Sequence, residues 1–99
     1  MDNIFIVVLK YIVAIEEIDA CRLKHLEFLG SCYEQGILIA SGPQVPRNGG
    51  ILIAKSSSKE ALQNILGQDP FAINKCAEYS IYEFTPTKYA KEFEAILQK

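Results

Sequence analysis

Residues 3–12, NIFIVVLKYI, are apolar at nearly every position and rich in Ile, Val, Phe and Tyr, which predicts a strand. From about Ile15 to Gln35 the apolar spacing becomes helical, and Gly36 marks a C-terminal stop. ILIASG at 37–42 and GILIAK at 50–55 predict two short strands. Pro43, Pro46, Asn48, Gly49 and Gly50 make the intervening segment a hairpin loop. Ser57 followed by Glu60 reads as a capping box opening a helix through ALQNIL to Gly67, and Pro70 stops any continuation. AEYSIYEF at 77–84 predicts a fourth strand, and KYAKEFEAIL at 88–97 a short terminal helix. The order β-α-β-β-α-β plus a helix is that of an α+β, ferredoxin-like fold: a four-stranded antiparallel sheet with two helices on one face.

Both faces of the first strand are apolar apart from Lys10: Ile4, Ile6, Val8 and Ile12 share a face with it, and Phe5, Val7, Leu9 and Tyr11 form the other. Residues 37–40 and 51–54 repeat this. A sheet with one wet face alternates apolar and polar residues instead. Two helices cover one face, so the other needs a cover of its own. A second copy packed sheet against sheet is the expected cover, giving a homodimer. The terminal helix folding back is the alternative, but ten residues, about 15 Å of helix, shield only part of a sheet.

Composition narrows the function classes. Ninety-nine residues, 49% hydrophobic and 22% charged, predict a single domain over residues 1–99. A net charge of −2 argues against nucleic acid as a partner, and scattered lysines argue against a membrane surface. Cys21, Cys32 and Cys76 are odd in number with no C-x-x-C spacing, so neither a disulfide framework nor a metal site is expected. The apolar N-terminus has Asp2 before it, Lys10 within it and no small-residue cleavage site, which predicts a cytoplasmic protein. No nucleotide motif or ligand cluster implies a cofactor.

One position stands out. RLKHLEFL at 22–29 carries the only histidine. At 100° per residue, Ile15, Ile18, Cys21, Leu29, Cys32 and Tyr33 form a stripe that also contains Arg22 and His25. His25 is then either a buried neutral histidine with satisfied nitrogens or a general acid or base, since imidazole titrates near neutrality. Arg22, one turn earlier, suits an anionic substrate. Asp69, held extended by Pro70, is the best candidate carboxylate to orient His25. The alternative for DPF at 69–71 is a helix terminator with Phe71 in the core.

R-L-K-H at 22–25, Gly36, A-S-G-P at 40–43, Gly49-Gly50 and D-P-F at 69–71 together resemble the YciI-like family, over about residues 3–84. The resemblance implies a dimeric α+β barrel, related in fold to muconolactone isomerase and small monooxygenases. It also implies an active site on a histidine–aspartate pair, here His25 and Asp69, with Ser41, Gly42 and Pro43 near the pocket. At least one relative removes chloride from a chlorinated aromatic degradation product. The tail after Phe84 and the loop QVPRN at 44–48 depart from the family pattern.

These readings converge on a small cofactor-independent lyase- or isomerase-like enzyme for a small anionic metabolite. His25 and Asp69 are its expected catalytic residues, and Arg22, Ser41, Gly42, Pro43 and Phe71 its expected substrate contacts. A non-catalytic binding module with the same pocket is the alternative, and a cofactor-independent monooxygenase a third class by fold analogy alone.

Overall fold

The computed structural model describes residues 2–98. Strand β1 (Asn3–Tyr11) leads into helix α1 (Ile15–Glu34), followed by the hairpin β2 (Leu38–Pro43) and β3 (Gly49–Ser56). Helix α2 (Lys59–Leu66) and the short α3 (Pro70–Ile73) precede β4 (Ala77–Phe84). The sheet order is β2-β3-β1-β4, antiparallel throughout, so the chain has the α+β ferredoxin-like fold its pattern predicts. Gly36, at φ +75°, ends α1 in the left-handed conformation that glycine adopts without a Cβ penalty.

One face of the sheet carries the core. Phe5, Val7 and Leu9 of β1, with Leu52 and Ala54 of β3, meet Ile18, Leu29 and Cys32 of α1. Leu62 and Leu66 of α2 and Phe71 of α3 close the same cluster. Gly49 makes the end of β3 fit against β1: a Cβ there would stand 1.9 Å from the Leu9 carbonyl oxygen. Among the described residues, no helix is long and apolar enough to cross a membrane.

Three sequence expectations need correction. The cap of α2 is Ser58, not Ser57: its hydroxyl accepts from the Ala61 amide, so the box with Glu60 does not form. Two adjacent serines offer the same chemistry, and only the backbone geometry chooses between them. Pro70 does not merely stop a helix; it opens α3 at its first position, where a missing amide hydrogen costs nothing. The terminal helix expected over 88–97 is reduced to a 3-10 turn at Lys91–Phe93 and one helical turn, α4 (Glu94–Leu97). Such a segment lacks the length to hold itself helical and has no buried residue to anchor it.

The outer face of the sheet is only partly covered. The tail reaches back at one corner, where Lys55 Nζ donates to the Ile96 carbonyl at 3.0 Å and Ile4 is buried. Away from that corner Ile6, Val8, Ile51 and Ile53 are half-buried, and Tyr82 and Phe84 are exposed.

Candidate active site

The helical stripe of α1 points where its spacing predicts for His25 and elsewhere for some neighbours. Ile18, His25, Leu29 and Cys32 are buried, whereas Arg22, Ile15 and Tyr33 are exposed at the margin of the stripe. Arg22 therefore stands at a rim and not in the interior. His25 stacks on Phe71, with ring centroids 3.9 Å apart and planes 11° from parallel. Tyr11 meets the same Phe71 ring edge-on at 6.1 Å.

Asp69 lies behind this stack with no exposed surface. Its position follows from local chain chemistry. The backbone before Pro70 is extended (ψ 129°), as proline demands, and the side chain folds forward to cap α3. Oδ1 accepts the Phe71 amide at 3.0 Å and the His25 Nδ1–H at 2.8 Å. Oδ2 accepts the Tyr79 hydroxyl at 2.6 Å. Three donors converge on the two oxygens, an arrangement that suits a carboxylate acting only as acceptor. Burial, and then the hydrogen bond to Asp69, push the Tyr79 phenol far above its ordinary range, so it remains a protonated donor.

Cys32 lies nearby in the core; burial first, and then the Asp69 charge, raise its thiol. It behaves as a buried hydrophobe. Cys21, Cys32 and Cys76 are all free thiols.

With Nδ1 committed to Asp69, His25 retains Nε2 for other partners. The imidazole borders a cleft of about 230 Å³ between α1 and the sheet, which Phe71, Leu9 and Leu52 also line. Arg22, Ser41, Gly42 and Pro43 border it too, so the residues singled out from the sequence share one cleft or stand directly behind it. Ser41 is tied to Tyr33, hydroxyl to hydroxyl, at 2.7 Å.

Sequence reasoning missed Tyr79, Tyr11 and Arg47 at this site. Tyr79 was within reach: in AEYSIYEF the inward positions are Ala77, Tyr79 and Ile81, and an inward tyrosine needs a partner for its hydroxyl. Arg47 had no comparable signal, because it sits in an irregular loop whose path follows no periodicity.

The family model of the YCII-related domain matches residues 4–85. No curated protein matches the chain. Among solved structures, the chain is similar to TftG, a 5-chloro-2-hydroxyhydroquinone dehydrochlorinase from Burkholderia phenoliruptrix AC1100, in complex with 2,5-dihydroxybenzoquinone. The TM-score is 0.73 at 16% identity, covering 90% of this chain and 97% of that one. It is also similar to SnoaB, a cofactor-independent oxygenase from Streptomyces nogalater, with a TM-score of 0.52 at 15% identity, covering 91% and 97%. At these identities the likeness concerns the fold.

Proposed function

This chain belongs to the YCII-related domain family, and from that premise and its cleft we propose an enzyme moving protons on a small, planar, anionic ring. The observation that carries this reading is the hydrogen bond from His25 Nδ1 to the buried Asp69 carboxylate. A carboxylate on Nδ1 sets the tautomer of a neutral imidazole, leaving the lone pair on Nε2. Nε2 then acts as a general base toward a phenolic or enolic proton of a ligand in the cleft. The imidazolium that forms lies against the Asp69 charge and is stabilised by it. The electron pair released into the ring takes the proton back from His25 at a ring carbon, giving a keto tautomer. Where that carbon carries a leaving group such as chloride, removal of a second enolic proton by Nε2 expels it. Stopping at the keto tautomer is isomerisation, and going on to lose the second proton and chloride is elimination. Arg22, at the rim, is placed to hold negative charge on the ligand.

Size and shape support a single ring. A volume of about 230 Å³ is smaller than a pocket for drug-sized ligands. The stacked His25–Phe71 pair gives the cleft a flat aromatic wall. TftG, which shares the fold, acts on a chlorinated hydroxyhydroquinone and binds a dihydroxybenzoquinone.

The test is incubation with 5-chloro-2-hydroxyhydroquinone, reading free chloride alongside calorimetric binding of 2,5-dihydroxybenzoquinone. Chloride release is the expected result. Binding with no turnover of this or other enolisable rings makes the protein a binding module. Oxygen uptake with the substrate replaces elimination by oxygenation, and absence of binding removes the cleft from consideration.

We also propose that the apolar outer face, with Ile6, Val8, Ile51 and Ile53 at its centre, meets the same face of a second copy. The tail covers one corner only, and an uncovered apolar face of this extent favours association. Sedimentation at micromolar concentration should give a dimer; a monomer there rules the pairing out.

A further inference from the structure

Arg47 belongs to the loop between β2 and β3, and that loop is well anchored. The Gln44 amide donates to the Gly49 carbonyl at 2.9 Å, and the Asn48 amide to the Pro46 carbonyl at 2.8 Å. The Tyr11 amide donates to the Asn48 carbonyl at 3.0 Å, tying the loop to the end of β1. So held, Arg47 borders the same cleft as His25 and Arg22. Its guanidinium donates from Nη2 to Asp19 Oδ1 at 2.6 Å, across from the hairpin to α1. Both side chains of this pair are about half exposed, at 41% and 55%.

Arg22 stands three residues after Asp19 on the same helix and has no ion-pair partner among the described residues. The rim thus carries two guanidinium groups and one carboxylate. One ligand charge balances Arg22. A second negative group finds Arg47, whose present partner is solvent-exposed and therefore readily displaced or shared.

We propose that Arg47 is a specificity-determining residue that selects a doubly anionic ring, with Asp19 as the internal competitor for its guanidinium. This rests on the reading of the cleft as the ligand site and adds the charge of the ligand to it. An arginine fork recognises a planar carboxylate or enolate through two parallel hydrogen bonds, which gives orientation as well as attraction. Tyr11 borders the cleft together with Arg47 and lies against the Phe71 ring that stacks on His25. A charge held at Arg47 therefore sets how the ring meets the aromatic wall.

Two probes of one ring shape separate charge from fit: 2,5-dihydroxybenzoquinone, doubly ionised at neutral pH, and neutral 2,5-dimethoxybenzoquinone. Calorimetry on the full chain should show Arg47→Gln weakening the dianion about tenfold or more, the loss expected for a charge-assisted pair. Binding of the neutral ring should change less than about twofold, since no charge is involved. Asp19→Asn should tighten the dianion by about twofold to fivefold, by removing an exposed competitor. Equal effects of Arg47→Gln on both probes, or none on the dianion, overturn the assignment of Arg47. Unchanged or weaker dianion binding in Asp19→Asn overturns the competition. If the unaltered protein binds neither probe, the cleft reading itself falls, and this inference with it.

Discussion

Asp69→Asn is expected to lower kcat/KM for chloride release from 5-chloro-2-hydroxyhydroquinone by about 10³–10⁴, while leaving most of the binding of 2,5-dihydroxybenzoquinone intact. The carboxylate accepts from His25 Nδ1, the Phe71 amide and the Tyr79 hydroxyl, and it donates to nothing. An asparagine keeps the volume but has one acceptor oxygen and brings an NH₂ into a site already crowded with donors. Where the oxygen stays on the Phe71 amide, the NH₂ takes the Oδ2 position facing Tyr79. Where it turns to Tyr79, the NH₂ faces His25 and favours the tautomer that spends the lone pair on Nδ1. In either case no negative charge remains to stabilise the imidazolium formed in the transition state.

His25→Ala should lose a similar factor, and the double variant little more, because base and orienting group act as one unit. The measurement is steady-state chloride release for the single and double variants, with far-ultraviolet circular dichroism to check folding. A loss below about tenfold in a folded Asp69→Asn protein removes Asp69 as the orienting group, and the same result for His25→Ala removes His25 as the base.

Asp69→Ala tests the same carboxylate as a structural element, and its expected effect on stability is a loss of about 3–5 kcal/mol. Asp69 is fully buried, so truncation strands three donors where water reaches poorly. Each stranded buried donor costs about 1–3 kcal/mol, with partial relaxation reducing the sum. For a domain of this size the loss is a large fraction of a total of about 5–10 kcal/mol. Urea unfolding followed by circular dichroism measures it.

Tyr79→Phe supplies the internal control. Alone it removes one hydrogen bond; combined with Asp69→Ala it removes one stranded donor. The double variant should therefore be more stable than the sum of the single losses implies. Strict additivity means that Tyr79 and Asp69 are not coupled, contrary to their 2.6 Å contact.

The residues differ in how far their roles were legible in sequence. His25 was visible as a polar residue in an apolar stripe, since the period of α1 is a local property and the burial of Ile18, Leu29 and Cys32 follows it. Arg22 shows the limit of the same projection: one helical turn from His25, it stands exposed at the rim. Its angle on the helix is local, but where the helix surface ends and the cleft opens depends on the sheet beneath. Pro70 was legible as a break but not as a beginning, because the same lack of an amide hydrogen serves both. The pairing of His25 with Asp69 was only one option in the residues, and the family resemblance singled it out.

Periodicity, turn chemistry and glycine placement, all read over a few neighbouring residues, determined the order of strands and helices. They also determined the two-faced apolar sheet, the end of α1 at Gly36 and the inward direction of His25. The tertiary structure alone decided that His25 and Tyr79 would both reach the Asp69 carboxylate that caps α3. It alone brought Arg47 to the same cleft as Arg22. Asp69 lies 10 positions from Tyr79 and 44 from His25, and contacts across such separations are set by how elements pack, which no local pattern encodes.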